Sequence, residues 1–299
     1  MKLISQMGHV ALRTPDLEAS VRHAIDILGL REVERSGGTV FLTCGRNHHD
    51  LQLIASDQAA VDHFSLEATS DSAFDEILAR LEREGVRIAA KTPQEPGLSR
   101  ALRFVTPDGH TVEVYAGMAK DQPATYNTVG IRPRKFAHTT IAVPDIAASE
   151  NFFCKVLGFI PSDRMYVRAD GGTKDVAVWM RCNPDHHGLA LIAGAAGLRH
   201  CAWELENFSY LAVLGDHLAS NGIKLEWGPG RHGPGNNLYT YHRDPAGNVH
   251  EHMADIERIY DDSFLGRSWE LKPETLNLWG GPEPSAEYRS RYLRVAALP

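Results

Sequence analysis

The chain has few cysteines, and none of them is paired in sequence. Four occur in 299 residues, and no two of them form a Cys-x-x-Cys pair. They are Cys44, Cys154, Cys182 and Cys201. This scarcity excludes the disulfide framework of small secreted domains and the cysteine-rich type of zinc site. We therefore expect four reduced thiols in a cytoplasmic protein.

Long apolar runs and an excess of positive charge are also absent. No stretch approaches the roughly 20 apolar residues that cross a bilayer as a helix. The opening MKLISQMGHVALRTPD lacks the apolar centre of a signal peptide. The formal net charge is −7 at pH 7, so nucleic acid and anionic membranes have no electrostatic reason to bind. Hydrophobic residues make up 43% of the chain and charged residues 23%, which is typical of a soluble globular protein.

What the sequence does contain is an internal repeat. The segment GHVALRTPDLEASVRHAIDILGL begins at Gly8 and aligns without a gap with AHTTIAVPDIAASENFFCKVLGF, which begins at Ala137. Four further pairs of segments follow in the same order. The last pair, TPDGHTVEVYAG and DPAGNVHEHMAD, aligns Glu113 with Glu251. Five ordered matches indicate that the chain arose by internal duplication.

Each half divides again into two units with the same order of elements. An alternating strand comes first, and an amphipathic helix follows. In the odd-numbered units a Pro-Asp pair opens the helix, with proline expected at the first helical position. Two or three further strands complete each unit. The sequence therefore predicts an α+β fold of four βαβββ units whose sheets curve into cups, at about residues 7–56, 61–117, 136–196 and 198–255.

The repeat also predicts the domain boundaries. We expect a non-catalytic N-terminal domain at residues 1–128 and a metal-binding C-terminal domain at 129–299, joined by a polar linker at about 118–134. The tail, residues 256–299, is predicted to be an irregular extension. Its apolar side chains favour docking on the body over free disorder. Those side chains are Trp269, Leu276 and Trp279.

Two histidines and a carboxylate in the second half occupy equivalent points of the repeated units. His138 and His200 each begin a strand, and Glu251 lies on the last strand. Because paired units curve their sheets into a common cup, the three side chains can converge. Two imidazoles and one carboxylate bind Fe(II) on one octahedral face and leave the opposite positions open. A carboxylate buried among strand residues also needs a cation beside it, so these residues predict a mononuclear metal site.

Two long motifs of the second half resemble those of a known enzyme family. The segment GPGRHGPGNNLYTYHRDPAGNVHE, residues 228–251, and the segment HHGLALIAGAAGLRH, residues 186–200, resemble the signatures of type I extradiol ring-cleaving dioxygenases. These enzymes belong to the vicinal oxygen chelate superfamily. The resemblance implies two domains of that fold, each made of two βαβββ modules. It also implies that His138, His200 and Glu251 are the ligands of a single Fe(II).

The same resemblance implies roles for three more residues. His187 matches the catalytic acid–base position, and His232 and Tyr241 match residues that contact the substrate. His186 remains the alternative to His187. The implied reaction is cleavage of a catechol ring next to the diol, with a small aromatic diol and O2 as partners. The family also tends to form homo-oligomers, and Mn(II) accepts the same ligands as Fe(II).

Other activities use the same scaffold. A glyoxalase-like isomerase or an epimerase also binds a divalent metal but needs no oxygen-handling His–Tyr set. A ligand-sequestering resistance protein needs no metal ligands. The combination of His187, His232 and Tyr241 with the metal ligands therefore favours the dioxygenase. His242 and His250 receive no role, and we expect them beside the site or on the surface.

The N-terminal half keeps an equivalent for each metal ligand and for the acid–base histidine. These equivalents are His9, His63, Glu113 and His49. Arg103, however, stands opposite Tyr241, and Gln94 stands opposite His232. An arginine beside the site would repel a metal cation. A second metal site is one interpretation of this set, and inherited structural residues are the interpretation that we prefer.

Overall fold

The computed structural model describes residues 2–121, 123, 130–290 and 292–297. Within them the predicted α+β fold of four repeated units is confirmed. The proposed boundary between residues 128 and 129, and part of the linker predicted at 118–134, lie outside the described residues. No helix in the described part of the chain is both long and apolar enough to cross a membrane.

The first half consists of two units of one strand, one helix and three further strands. The first unit contains β1 (Ile4–Thr14), α1 (Leu17–Asp26), β2 (Arg31–Ser36), β3 (Thr39–Thr43) and β4 (Leu51–Ala55). The second contains β5 (Ala60–Ala68), α2 (Asp71–Arg83), β6 (Ile88–Ala90), β7 (Leu98–Val105) and β8 (Thr111–Met118).

The second half repeats this pattern. Its first unit contains β9 (Lys135–Val143), α3 (Ile146–Phe152) with a π-helical turn (Phe153–Leu157), β10 (Ile160–Ala169), β11 (Gly172–Arg181) and β12 (Leu189–Ala193). Its second contains β13 (Gly197–Glu204), α4 (Phe208–Ser220), β14 (Leu225–Arg231), β15 (Leu238–Arg243) and β16 (Val249–Ala254). The tail adds β17 (Arg267–Glu270), α5 (Pro273–Leu276), α6 (Ala286–Ser290) and β18 (Leu293–Arg294).

The Pro-Asp pairs lie before the helices, and each proline is two positions earlier than the sequence pattern predicts. Asp16 is the N-cap of α1 and accepts a hydrogen bond from the backbone N–H of Ala19 at 2.9 Å. Asp145 caps α3 in the same way, accepting from Ala148 at 3.0 Å. The prolines therefore precede the cap instead of occupying the first helical position, because the aspartate side chain is needed to satisfy the first free N–H groups.

The two sheets have the same strand order, which decides where the site lies. The first is ordered β2-β3-β4-β1-β5-β8-β7-β6, and the second β10-β11-β12-β9-β13-β16-β15-β14. In each sheet the first strands of the two units lie side by side in the middle. The second sheet therefore brings β9, β13 and β16 next to one another, and these strands carry the three predicted metal ligands.

The tail is more regular than predicted. β17 adds a parallel strand beside β10, and β18 pairs with β13. Trp269 donates from its indole N–H to Asp163 at 2.8 Å, and Leu276 lines the cavity described below. Trp279, however, is 51% exposed. The tail docks on the body as predicted. Strand pairing contributes more to this docking than Trp279, because it gives hydrogen-bond partners to backbone N–H and C=O groups.

A buried histidine contact joins the two halves. The Nε2 atoms of His23 on α1 and His242 on β15 are 3.1 Å apart. Burial, followed by repulsion from His250, lowers the pKa of His23 to about 4. The folded chain therefore keeps this imidazole neutral at pH values where the unfolded chain protonates it.

We expect His23→Gln to make the protein less sensitive to acid. Between pH 6.5 and about 4 the unfolded wild type binds a proton at His23 that the folded state excludes, so the free energy of unfolding falls as the pH falls. The wild type should lose about 3 kcal/mol more than His23→Gln across this window. Urea unfolding of both proteins at pH 7 and pH 4.5 measures the difference. Equal losses would contradict this account of the contact.

Candidate metal centre

Three predicted ligand atoms converge at the centre of the second sheet. Nε2 of His138 lies 3.2 Å from Nε2 of His200 and 3.0 Å from Oε2 of Glu251, and the His200–Glu251 distance is also 3.0 Å. All three residues are buried. The strand register explains the meeting, because Ala202 on β13 lies opposite both His138 and Glu251 on the flanking strands.

This triangle of atoms fits a divalent metal ion. An octahedral face with metal–ligand bonds of roughly 2.1 Å has edges of about 3.0 Å. Each imidazole presents Nε2 inward, and the carboxylate presents one oxygen. Three lone-pair atoms so close together in a buried site favour a cation between them.

The electrostatics of the triad agree with this fit. Burial alone would raise the pKa of Glu251, but His138 and His200 outweigh burial and hold that pKa well below its usual range. Burial lowers the pKa of His200 to about 4, against the opposing pull of Glu251. The triad therefore presents a carboxylate and a neutral His200 imidazole at pH 7. The side-chain amide of Asn237 donates to the other oxygen of Glu251 at 3.1 Å, which fixes the carboxylate plane.

A cavity of about 450 Å³ opens directly onto the three ligands. Its walls are largely apolar and come from both the sheet and the tail. Among the lining residues are Met165, Val176, Trp179, Trp227, Leu271 and Leu276. The volume lies in the range of small-molecule sites, and it exceeds what a single benzene ring occupies.

His187 and its neighbour His186 occupy different environments, and only His187 is among the residues that line the cavity. His187 lines the cavity, and its ring centroid lies 4.3 Å from that of His138. His186 lies behind it, 3.0 Å away between Nδ1 atoms, with its Nε2 3.2 Å from Asp163. Burial, followed by repulsion from His138 and His186, keeps the pKa of His187 well below 6.5. His187 thus offers a neutral imidazole to the cavity, and His186 fixes its orientation.

His232 and Tyr241 form a hydrogen-bonded pair that also lines the cavity. Nε2 of His232 lies 2.9 Å from the Tyr241 hydroxyl, and its Nδ1 lies 2.8 Å from the carbonyl of Leu276. Nδ1 therefore donates to the carbonyl, which leaves Nε2 to accept from Tyr241. Burial raises the pKa of Tyr241 well above 10, so its hydroxyl keeps its proton. Tyr241 pairs with Glu251 across the strands, which places the hydroxyl beside the triad.

Sequence reasoning missed two residues of the cavity wall. Tyr288, from α6 of the tail, is buried, and the guanidinium of Arg199 lies 4.1 Å from its ring centroid. Arg199 also donates to the carbonyl of Arg289 at 3.0 Å. Arg199 directly precedes His200, and this adjacency was the available signal. Nothing in the sequence indicated that Tyr288 returns to the site, because the tail has no counterpart in the first half.

The histidines without a predicted role are buried on the other face of the sheet, so a surface position is wrong for them. His242 and His250 are 0% and 1% exposed, and their ring centroids are 5.7 Å apart. His252 lies beside His242 at 5.3 Å. Side chains alternate along a strand. Residues 250 and 252 therefore point away from the triad that residue 251 joins.

The first half also brings its equivalents together, with one correction. His9, His63 and Glu113 form a cluster of possible ligands, and its fourth member is Glu95. Gln94, the residue expected opposite His232, is exposed, and its side-chain amide donates to its neighbours Thr92 and Pro93. The connecting segment is one residue shorter here, so counting back without a gap selects the wrong residue.

Comparison with known proteins supports the same reading of the fold. Residues 6–114 and 135–251 each match the glyoxalase/bleomycin resistance protein/dioxygenase superfamily. A manganese-dependent 2,3-dihydroxybiphenyl 1,2-dioxygenase of Geobacillus genomosp. 3 is 30% identical, over 94% of this chain and 95% of that protein. A metapyrocatechase of Pseudomonas sp. (strain CF600) is 27% identical, over 87% and 89%.

A solved structure covers almost the whole chain. The Mn(II)-bound glyoxalase from Novosphingobium aromaticivorans superimposes with a TM-score of 0.89 at 26% identity, over 99% of this chain and 96% of that one. The match therefore includes both halves and the tail. Since the superfamily matches well over half of the sequence in two copies, the chain belongs to the glyoxalase/bleomycin resistance protein/dioxygenase superfamily.

Proposed function

We propose that this chain is an extradiol dioxygenase that cleaves a catechol-type ring with O2 at a single Fe(II) held by His138, His200 and Glu251. One observation carries the proposal. His187 and the hydrogen-bonded pair of His232 and Tyr241 all line the cavity that contains the three ligand atoms. A site that only held a metal would need none of these three groups.

The metal ion and the side chains have separate tasks. When bound, the ion supplies Lewis acidity to the diol oxygens and a redox-active centre for O2. His187 accepts a proton within the cavity and returns it later, because its imidazole is neutral and lies beside the ligands. These proton transfers accompany loss of a phenolic proton and formation of the ring-opened product.

Tyr241 and His232 orient the substrate. In the free site the Tyr241 hydroxyl donates its single proton to Nε2 of His232, and on substrate binding it can turn that proton to a substrate oxygen instead. His232 holds that hydroxyl in place through its Nε2 and is itself held by the Leu276 carbonyl of the tail. Arg199 adds a positive charge to the cavity wall, which favours a diol that has lost a proton.

The cavity favours a diol with an apolar substituent. Its volume of about 450 Å³ and its largely apolar walls leave room beyond a single ring. Of the relatives named above, one is a 2,3-dihydroxybiphenyl 1,2-dioxygenase and the other is a metapyrocatechase, a name that refers to catechol. We therefore expect substituted and two-ring catechols to be cleaved at least as efficiently as catechol.

A glyoxalase-like activity is the second candidate, because the solved structure of that name shares the fold over the whole chain. A divalent metal suits both activities. The His187, His232 and Tyr241 constellation favours the dioxygenase, since moving a proton between substrate carbons requires no O2-handling groups. Mn(II) remains an alternative to Fe(II) for the same ligand set.

The cellular location and the oligomeric state of the protein are also proposals. Four free cysteines support a reducing, cytoplasmic location. A homo-oligomer is supported by the exposed apolar pair in which Phe208 of α4 contacts Trp279 of the tail. The molar mass from light scattering measures the oligomeric state.

The proposal is tested by product analysis. The chain, loaded anaerobically with Fe(II), is given catechol, 3-methylcatechol or 2,3-dihydroxybiphenyl under ¹⁸O2, and in parallel the hemithioacetal of methylglyoxal and glutathione. We expect ring-opened products that contain both atoms of ¹⁸O2, and no turnover of the hemithioacetal. Turnover of the hemithioacetal with intact diols would instead establish the isomerase.

A further inference from the structure

The first half contains a second His–His–Glu set with almost the same geometry. His9 on β1, His63 on β5 and Glu113 on β8 lie on the three central strands of their sheet. The two Nε2 atoms are 3.1 Å apart, and Nε2 of His9 lies 3.6 Å from Oε1 of Glu113. The three residues are at most 1% exposed. By residue type and strand position alone, this set matches the one in the second half.

A guanidinium lies inside this set. Arg103 on β7 is paired with Glu113, as Tyr241 is paired with Glu251 in the second sheet. Its Nε donates to Oε2 of Glu113 at 2.9 Å, and its Nη2 lies 3.2 Å from Nε2 of His63. Arg103 also forms an ion pair with Glu95. One cation therefore contacts two of the three candidate ligands directly.

A second donor covers the remaining ligand atom. The side-chain amide of Gln52 on β4 lies 3.0 Å from Nε2 of His9 and 3.1 Å from Nε2 of His49. The aligned segments LQLIA and LALIA place Ala190 at the matching position of the second half. A methyl group at that position leaves the ligand face of His138 open.

The two halves therefore differ in whether a positively charged side chain lies among the candidate ligands. In the first, Glu95 and Glu113 face Arg103. In the second, His232 and Tyr241 take the places of Glu95 and Arg103, and Glu251 faces imidazoles, the Tyr241 hydroxyl, the Asn237 amide and the cavity. Buried carboxylates require a compensating positive charge. Arg103 supplies that charge permanently in the first half.

We propose that Arg103 is the built-in cation of the His9–His63–Glu113 set, and that replacing it converts the set into a second site for a divalent first-row metal ion. The change needed is Arg103→Tyr together with Gln52→Ala, which introduces the residue types of the second half. With Arg103 gone, Glu95 and Glu113 lose their guanidinium partner. Two imidazoles and two carboxylates then converge as oxygen and nitrogen ligands of the kind that Mn(II) and Fe(II) accept.

Metal content tests this inference independently of the proposed activity. Glu251→Gln serves as the background because it disables the site in the second half. After loading with Mn(II) and desalting, metal analysis should give close to no ion per chain for Glu251→Gln alone. Adding Gln52→Ala and Arg103→Tyr should restore about one ion per chain, with a protein-bound Mn(II) signal in electron paramagnetic resonance. Adding Glu113→Gln to that variant should remove the ion again.

Arg103→Lys is the matched control, because it keeps a positive charge in the set and should bind no additional ion. Circular dichroism and thermal melting check that each variant is folded, and Arg103→Gln replaces Arg103→Tyr if the tyrosine variant does not fold. A folded variant with a neutral residue in place of Arg103 that gains no metal ion would overturn the proposal. So would a Glu251→Gln protein that retains an ion until Glu113 is also changed, since that ion would share the set with Arg103.

Discussion

Glu251→Gln should leave the chain without a bound metal and without ring-cleaving activity. Glutamine keeps the size and one oxygen of the side chain but removes the only charge among the three ligands. Oε2 of Glu251 lies 3.0 Å from both ligand nitrogens, so no other carboxylate in the described structure can replace it at this point. A metal contributes several kcal/mol to such reactions, so turnover should fall by about 10³-fold or more.

Glu113→Gln is the matched control for this change. It alters the equivalent residue of the first half, where Arg103 supplies the positive charge. Metal analysis and oxygen uptake should therefore match the wild type. A Glu251→Gln protein with a full complement of metal and normal turnover would remove Glu251 from the site. If Glu113→Gln lost the metal while Glu251→Gln kept it, the metal would belong to the first half and the proposed assignment would be wrong.

His187→Gln should retain the metal and lose turnover. The imidazole lines the cavity but is not one of the three converging ligand atoms. Removing a positioned acid–base group lowers turnover by roughly 10²–10⁴-fold. His49→Gln, the equivalent change in the first half, should have little effect on turnover. Normal turnover in His187→Gln would show that the proton is moved by another group.

The pH profile gives a second test of His187. Because burial holds its pKa well below 6.5, the neutral form persists as the pH falls from 8 through 6.5. Wild-type turnover should therefore show no decline from protonation of His187 in that interval. A decline centred near pH 6.5 that disappears in His187→Gln would contradict the proposed environment of this imidazole.

The repeat made most of the site predictable. An alignment of the chain with itself identified His138, His200 and Glu251 as equivalent points of the repeated units, and the shared strand order brings such points together in each sheet. The same alignment matched Arg103 to Tyr241, and in the structure these two residues pair with Glu113 and Glu251 at equivalent points of their sheets. These placements could be predicted because the residues lie within regular strands, where counting along the sequence is equivalent to counting along the sheet.

The sequence was less informative where that equivalence fails. Glu95 lies in a segment one residue shorter than its counterpart, so the count pointed to Gln94. Tyr288 and β17 belong to the tail, which has no second copy to compare with. The burial of His242 and His250 depends on α1 of the other half packing over them. Contacts between elements far apart in the chain leave no local pattern in the sequence.

The most direct test of the account is oxygen stoichiometry. The iron-loaded protein and 2,3-dihydroxybiphenyl are mixed in an oxygen-electrode cell that also records visible absorbance, with Glu251→Gln as the inactive comparison. We expect the wild type to consume one O2 for each diol lost and each yellow ring-opened product formed. No oxygen uptake by the fully iron-loaded protein with one-ring or two-ring diols would contradict the account.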